Sequence, residues 1–384
     1  MKKRILASLV AVGLVASMVL TGCAGNPSSD ESDSSASGDG ASEGGYKIAI
    51  LADSGVDDGS FNQNCYEGIL QYIDEVDPAS TVTEIKEPDL SKCIQTIEDT
   101  IADYDIMVLP GYNYAACAEI CQANPDKKII LVDSYPTTED GEEIVVDNVY
   151  AMQFAEQESG FLAGIAAAME TKTGKVAVVN GIAYPSNVNY QYGFESGVNY
   201  AVKNLGATAE CVEIASYAGT DVTGADVGGN YIGAFDDVET GKVVGNALLD
   251  QGVDIIFVAA GASGNGVFTA VKEAGDAYCI GCDVDQYDDG ANGDSNIILT
   301  SALKVMDVNV YRQLCAIKDG TFEGQNIVLY ADTDSTGLVT EEGRCQLSQE
   351  TIDAVNTAFE GVKDGSIVPA ANFNDMTPDN FTGL

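Results

Sequence analysis

From Lys47 onward the chain alternates short apolar runs with longer stretches of helical period, and this alternation constrains the fold more than any other feature. Lys47–Asp53, Val82–Ile85, Ile106–Leu109 and Lys128–Asp133 read as strands, with helices over residues 60–76, 90–102 and 114–122 between them. The strand runs are apolar at successive positions, not at every second one. Both faces of each strand are therefore buried, and helices must cover both sides of a parallel sheet. Right-handed crossovers bring every strand's carboxyl end to one rim, where Asp53, Asn113 and Asp133 come together.

A second series follows. Lys175–Asn180, Cys211–Ala215, Asp254–Ala260 and Tyr278–Asp283 read as strands, with helices over 186–205, 238–251 and 263–274. A chain of 384 residues is too long for one ordinary core. The expected class is α/β, with two doubly wound parallel-sheet lobes joined by a hinge. Residues 144–150 read as a strand leading away from the first lobe into an apolar helix over 154–170. The strand Ile297–Leu303 and the helix Asp307–Lys318 are assigned to the first lobe, and Ile327–Tyr330 with a helix over 349–362 to the second. The N-terminal lobe is thus expected to hold residues 46–150 plus 284–325, and the C-terminal lobe 151–283 plus 326–384.

Charge and missing residue types remove whole classes of function. Sixty acids against 18 bases give a formal charge of −42. Such a surface repels nucleic acid, whose binding needs clustered Lys and Arg, and it argues against anionic ligands. Arg312 and Arg344 are the arginines beyond the first few residues, so no guanidinium clamp for phosphate is visible. With no His, Ser-His-Asp, Cys-His and H-E-x-x-H sites all fail, and no catalytic set is assigned. Gly261-Ala262-Ser263-Gly264 follows a strand and opens a helix but lacks the Lys of a phosphate loop. Once Cys23 is set aside the cysteines are odd in number. They read as small buried hydrophobes, not as a disulfide framework. Cys279-Ile-Gly-Cys282 has no partner pair for zinc. Asp283–Gly290 resembles half of a calcium loop, but its spacing fails. No metal and no cofactor is expected.

A neutral polar ligand fits what remains. The stretch from Asp53 to Gly59 is a polar turn at the carboxyl end of the first strand, where open α/β sheets bind ligands. Ser60 stands where it can cap the next helix. Phe61 at that junction, and Phe235 in an otherwise polar loop of the second lobe, offer aromatic faces to a flat apolar ring. Carboxylates and a single Lys suit vicinal hydroxyls. Nucleosides and simple sugars, including an autoinducer-like sugar, both meet this description. A surface hydrolase with two placed carboxylates is the remote alternative.

The N-terminus adds a location. Lys2, Lys3 and Arg4 precede an apolar run, Ile5–Leu20, that is short for a spanning helix and suited to a secretory leader. Leu20-Thr21-Gly22-Cys23 resembles the lipobox of bacterial lipoproteins. That resemblance implies a signal peptide over 1–22 and an acylated Cys23 anchoring the chain at the extracytoplasmic face of the cell membrane. Residues 23–45, rich in Ser, Gly and acids, read as a flexible tether.

Asp53-x-Gly55-x-Asp57-Asp58-x-Ser60-Phe61-Asn62-Gln63 is similar to the opening motif of the basic membrane protein family of ABC-transporter lipoproteins, purine nucleoside receptors with the type I periplasmic-binding-protein fold. Further fragments follow in family order: Phe154-x-x-x-Glu158-x-Gly160-Phe161-Leu162-Ala163-Gly164, Gly233-x-Phe235-Asp236-Asp237, residues 259–266, Gly281-x-Asp283-x-Asp285-Gln286 and Thr300-Ser301-x-x-Lys304. The resemblance spans about residues 46–370. It implies Phe61 and Phe235 stacking on a purine, and Asp133 with Asn62 and Asn113 near the base edge. Asp283, Lys304 and the backbone at Gly261 would hold ribose hydroxyls, with Asp53 joining them. The expected partners are a nucleoside, the permease and ATPase subunits of an ABC importer, and the membrane through the lipid anchor. No nucleic acid is expected, and the chain is expected to be a monomer.

Overall fold

The computed structural model describes residues 44–384, so the leader, Cys23 and nearly all of the tether lie outside the described residues. The described residues begin with β1 (Lys47–Ala52), α1 (Phe61–Glu75), β2 (Thr81–Lys86), α2 (Cys93–Thr100), β3 (Ile106–Pro110), α3 (Ala118–Ala123), β4 (Lys128–Val132) and β5 (Val149–Phe154). It crosses into α4 (Glu156–Glu170), β6 (Lys175–Asn180), α5 (Pro185–Tyr200), β7 (Glu210–Cys211) and a short pair, β8 (Gly219–Thr220) and β9 (Asp226–Gly228). Then come α6 (Val238–Asp250), β10 (Ile255–Ala259), α7 (Gly264–Ala274), β11 (Tyr278–Asp283), a second short pair, β12 (Ala291–Asn292) and β13 (Ser295–Asn296), and β14 (Ile298–Lys304). The last elements are α8 (Met306–Lys318), β15 (Gln325–Leu329), β16 (Thr336–Leu338) and α9 (Gln349–Lys363).

Two six-stranded sheets result, ordered β15-β5-β4-β3-β1-β2 and β16-β14-β11-β10-β6-β7. The first is parallel throughout; in the second only β16 runs antiparallel, against β14. The continuous apolar runs follow from burial on both faces. Ile48, Ile50, Ile106, Val108, Ile130 and Val132 pack under α1 and α8. Their neighbours Ala49, Leu51, Met107, Leu109, Ile129 and Leu131 pack under α2 and α3. The second sheet does the same between α4 and α5 on one face and α6 and α7 on the other.

Three strands sit elsewhere than the sequence suggested. Val149–Phe154 stays in the first sheet beside β4, so the chain leaves that lobe only after Phe154. β14, expected in the first lobe, pairs in parallel with β11 of the second. A parallel crossover normally carries a helix. Here a single turn at Tyr287–Gly290 and the β12–β13 pair span the gap, so the missing helix imitates a change of lobe. β15, expected in the second lobe, is the edge strand of the first sheet beside β5. The lobe assignments 284–325 and 326–384 are corrected at these two strands: β14 belongs to the second sheet and β15 to the first, while α8 packs on the first core.

α4 and α5 meet through four glycines. A Cβ at Gly160 would lie 2.6 Å from Tyr190 O, at Gly164 2.1 Å from Phe194 O, at Gly193 2.3 Å from Gln157 O and at Gly197 2.0 Å from Phe161 O. Only glycine permits that approach. α4 then buries its other face against α9 through Phe161, Leu162 and Ile165, which explains its uniformly apolar sequence.

The chain passes between lobes after β5, after β14 and after β15, and the first turn of α4 fastens all three passages. Ala155 N–H donates to Leu329 O at 2.9 Å. Glu158 accepts from Ala331 N–H at 2.8 Å and from the Thr336 hydroxyl at 2.7 Å. Ser159 donates to Leu303 O at 2.7 Å and accepts from Gly337 N–H at 3.0 Å.

Candidate functional site

The strand ends of both lobes face one another across a cleft with about 600 Å³ of empty space, its open mouth included. From the first lobe β1 delivers Asp53 and Ser54, the start of α1 delivers Phe61 and Asn62, β3 leads to Tyr112 and Asn113, and β4 to Asp133. From the second, the loop after β6 delivers Tyr184, the first turn of α5 Asn187, and the loop before α6 Phe235. Ala259 ends β10 and Gly261 follows it, Asp283 ends β11, and Lys304 ends β14. Asp53, Phe61, Asn62, Asn113, Asp133, Phe235, Gly261, Asp283 and Lys304, the residues singled out from the sequence, all line this cleft. Cys23 lies outside the described residues.

Lys304 is the electrostatic centre. It is 2% exposed, forms an ion pair with Asp133, and reaches Glu156 at 3.0 Å. Its ammonium stands 5.0 Å from the Phe61 ring centroid and 5.4 Å from that of Phe154. Burial alone would lower the Lys304 ammonium, but the Asp133, Glu156 and Asp283 carboxylates outweigh it and hold the group above its ordinary value. Burial pushes the Asp133 carboxyl up, against the pull of Lys304. Among the lining residues Lys304 is the one cation, facing Asp53, Asp58, Asp133 and Asp283.

Two of these aspartates carry backbone strain. Asp133 has φ 64° and Asp283 φ 69°, a region that side-chain-bearing residues seldom occupy and that clusters at functional sites. The strain turns both carboxylates off the strand ends. Asp133 Oδ1 and Asn62 Oδ1 are buried without a hydrogen-bond partner. The Asn62 amide is oriented by its Nδ2, which donates to Asp53 Oδ1 at 3.1 Å and Ser54 Oγ at 3.0 Å. Asn113 lines the cleft, but its Nδ2 is turned to Cys93 Sγ at 3.2 Å.

The start of α1 departs from expectation. Ser60 makes no side-chain capping bond. Asp58 caps instead, accepting the backbone N–H groups of Ser60, Asn62 and Gln63 at 3.1, 2.9 and 3.0 Å. A carboxylate takes several donors and favours the positive helix end, so it displaces the hydroxyl.

Aromatic groups line both walls. Phe61 packs partly on the first core and partly faces the cleft. The Phe235 ring lies where a Cβ at Gly181 would be, 2.3 Å from that position, so Gly181 makes its room. Tyr184 links Phe235, centroids 6.0 Å apart, to Tyr112 of the other lobe at 5.1 Å. Sequence reading missed Tyr184, Asn187 and Tyr190. Tyr184 and Asn187 follow β6 at the same rim, so the strand-end rule that found Asp133 would have found them.

Other sequence expectations resolve here. The nine cysteines of the described residues are free, and six of them are buried. Burial pushes the Cys282 thiol well up, which leaves it a poor nucleophile. In the acidic loop after β11, Arg344 pairs with Asp285 at 2.5 Å and Asp288 at 3.1 Å. The site offers aromatic faces, fixed acceptors and one ammonium: equipment for recognition.

Comparison with known proteins follows the same direction. A family model described as ABC transporter substrate-binding protein PnrA-like matches residues 46–213 and 215–371. The chain is 29% identical over 387 residues to a CD4+ T-cell-stimulating antigen of Listeria innocua, covering 96% of this chain and 98% of that protein. It is 28% identical over 386 residues to the ABC transporter nucleoside-binding protein BmpA of Lactococcus lactis, covering 96% and 99%. An ABC transporter solute-binding protein from Aeropyrum pernix superposes with a TM-score of 0.71 at 24% identity, covering 86% of this chain and 94% of that one. At that identity the likeness establishes the two-lobed periplasmic-binding-protein fold.

Proposed function

The chain belongs to the PnrA-like family of ABC-transporter substrate-binding proteins, and from that premise we propose that it receives a purine nucleoside between its lobes and hands it to a membrane permease. The reading rests above all on Phe61 and Phe235, which come from opposite lobes and line the same cavity as Asp283 and Lys304. A purine presents two apolar faces that suit these rings. Ribose presents vicinal hydroxyls that suit a carboxylate and an ammonium. The unpartnered oxygens of Asn62 and Asp133 are acceptors for N–H groups on the base edge. The nucleoside-binding name of the Lactococcus relative supports the same ligand class.

The surplus of carboxylates around Lys304 disfavours a 5′-phosphate, so the free nucleoside is the form transported. The ligand leaves chemically unchanged. Cys23 carries the lipid that keeps the receptor at the outer face of the membrane, and the permease and its ATPase are the partners in transport.

Titration calorimetry of the chain without its leader tests the ligand, using adenosine, guanosine, inosine, uridine, ribose and AMP. Purine nucleosides are expected to bind tightly, with ribose and AMP weak. Binding of ribose together with silence toward every nucleoside would keep the fold and overturn the ligand.

A further inference from the structure

We propose that Ser60 is a cross-cleft latch, a positioning residue that holds Asp283 and slows release of the bound ligand. The inference rests on the reading that Asp283 receives the ligand's hydroxyls. It starts from a residue that does not do what its position suggests. Ser60 precedes α1 and would ordinarily cap it. Asp58 has taken that task, so the Ser60 hydroxyl is free for another.

That hydroxyl crosses between lobes and donates to Asp283 Oδ2 at 2.7 Å. Ser60 is 4% exposed and Asp283 9%, so water competes little for the bond. The other oxygen of Asp283 accepts from the Tyr190 hydroxyl of its own lobe at 3.0 Å. Each carboxylate oxygen is thus held by one hydroxyl, one from each side of the cleft. A second tie lies beside it. Gln286 Nε2 donates to Gly59 O at 3.3 Å, while Gln286 Oε1 is anchored at home by Cys282 N–H at 2.9 Å.

Ser60 is not among the residues lining the cavity, so it acts through Asp283 and not on the ligand. The bond from Ser60 to Asp283 exists only while the lobes are shut. Its loss therefore speeds opening and leaves entry into the open cleft unchanged.

The test is stopped-flow measurement of guanosine and adenosine association and dissociation, using tyrosine fluorescence, for the wild-type chain, Ser60→Ala and Ser60→Thr. Ser60→Ala is expected to raise koff about ten-fold, equivalent to about 1.4 kcal/mol. Its kon and ligand-free Tm should match the wild type, and Ser60→Thr should restore koff. An unchanged koff in Ser60→Ala overturns the latch. So does a faster koff accompanied by a lowered ligand-free Tm, which marks a structural role. A wild-type chain that binds no nucleoside refutes the ligand reading, and the latch falls with it. A wild-type chain that binds while Ser60→Ala behaves identically refutes the latch alone.

Discussion

Replacing Glu158 by glutamine isolates the titration of one buried carboxyl at the hinge. Glu158 is 7% exposed, and burial pushes its carboxyl up from 4.5 to about 7, further than the Thr336 hydroxyl and the Ala331 N–H pull it down. Between those two values the folded chain keeps the proton and the unfolded chain loses it. The stability this carboxyl contributes is therefore complete below the unfolded value and is lost as pH rises through about 7. One pH unit of displacement is worth about 1.4 kcal/mol, so ionised Glu158 costs about 3 kcal/mol against a neutral side chain of the same shape. Glutamine keeps an oxygen for both donors and removes the charge. Urea unfolding of both proteins from about pH 4 to about pH 8 gives a difference in which the other titrating groups cancel. The two should be similar at the acid end, with Glu158→Gln gaining about 3 kcal/mol on the wild type by the alkaline end. A difference that stays flat across the range would refute the raised carboxyl.

Gly164→Ala should lower the free energy of unfolding in urea by about 1–3 kcal/mol, because its Cβ would meet Phe194 O at 2.1 Å and α4 and α5 must part. Lys304→Met leaves Asp133 and Glu156 buried without their cation and is expected to cost about 3–5 kcal/mol in thermal unfolding; an unchanged Tm would mean that the two carboxylates are not charged in the fold. Phe235→Ala should weaken purine nucleoside binding by about 1–3 kcal/mol in calorimetry, and full affinity in that variant would remove stacking from the account.

The rims of both lobes were readable because each is set by where an apolar run stops. Asp53, Asp133 and Asp283 stand at such stops, and the right-handed crossover does the rest. The crossing strands were not readable in the same way. β14 and β15 each carry a pattern that fits either sheet, and their place depends on neighbours distant in sequence: β11 for one, β5 for the other. Ser60 failed for a different reason. Capping rules rank single residues, whereas here two candidates, Asp58 and Ser60, competed for one helix end. The loser found a partner on the other lobe, Asp283, more than two hundred residues away. The pairing of Glu156 with Lys304 was likewise hidden, since nothing local to Glu156 and Glu158 says which one meets a lysine distant in sequence.

The fastening of all three inter-lobe passages to one helical turn has a mechanical meaning. Three separate ribbons could twist, shear and bend independently, and closure would then wander through many partly shut shapes. Tied at Glu158 and Ser159, they share one point of attachment. Glu156, two residues before that point, reaches the ammonium at the floor of the cleft. Ties gathered at one helical turn restrict how the lobes can move against each other more than three independent linkers would.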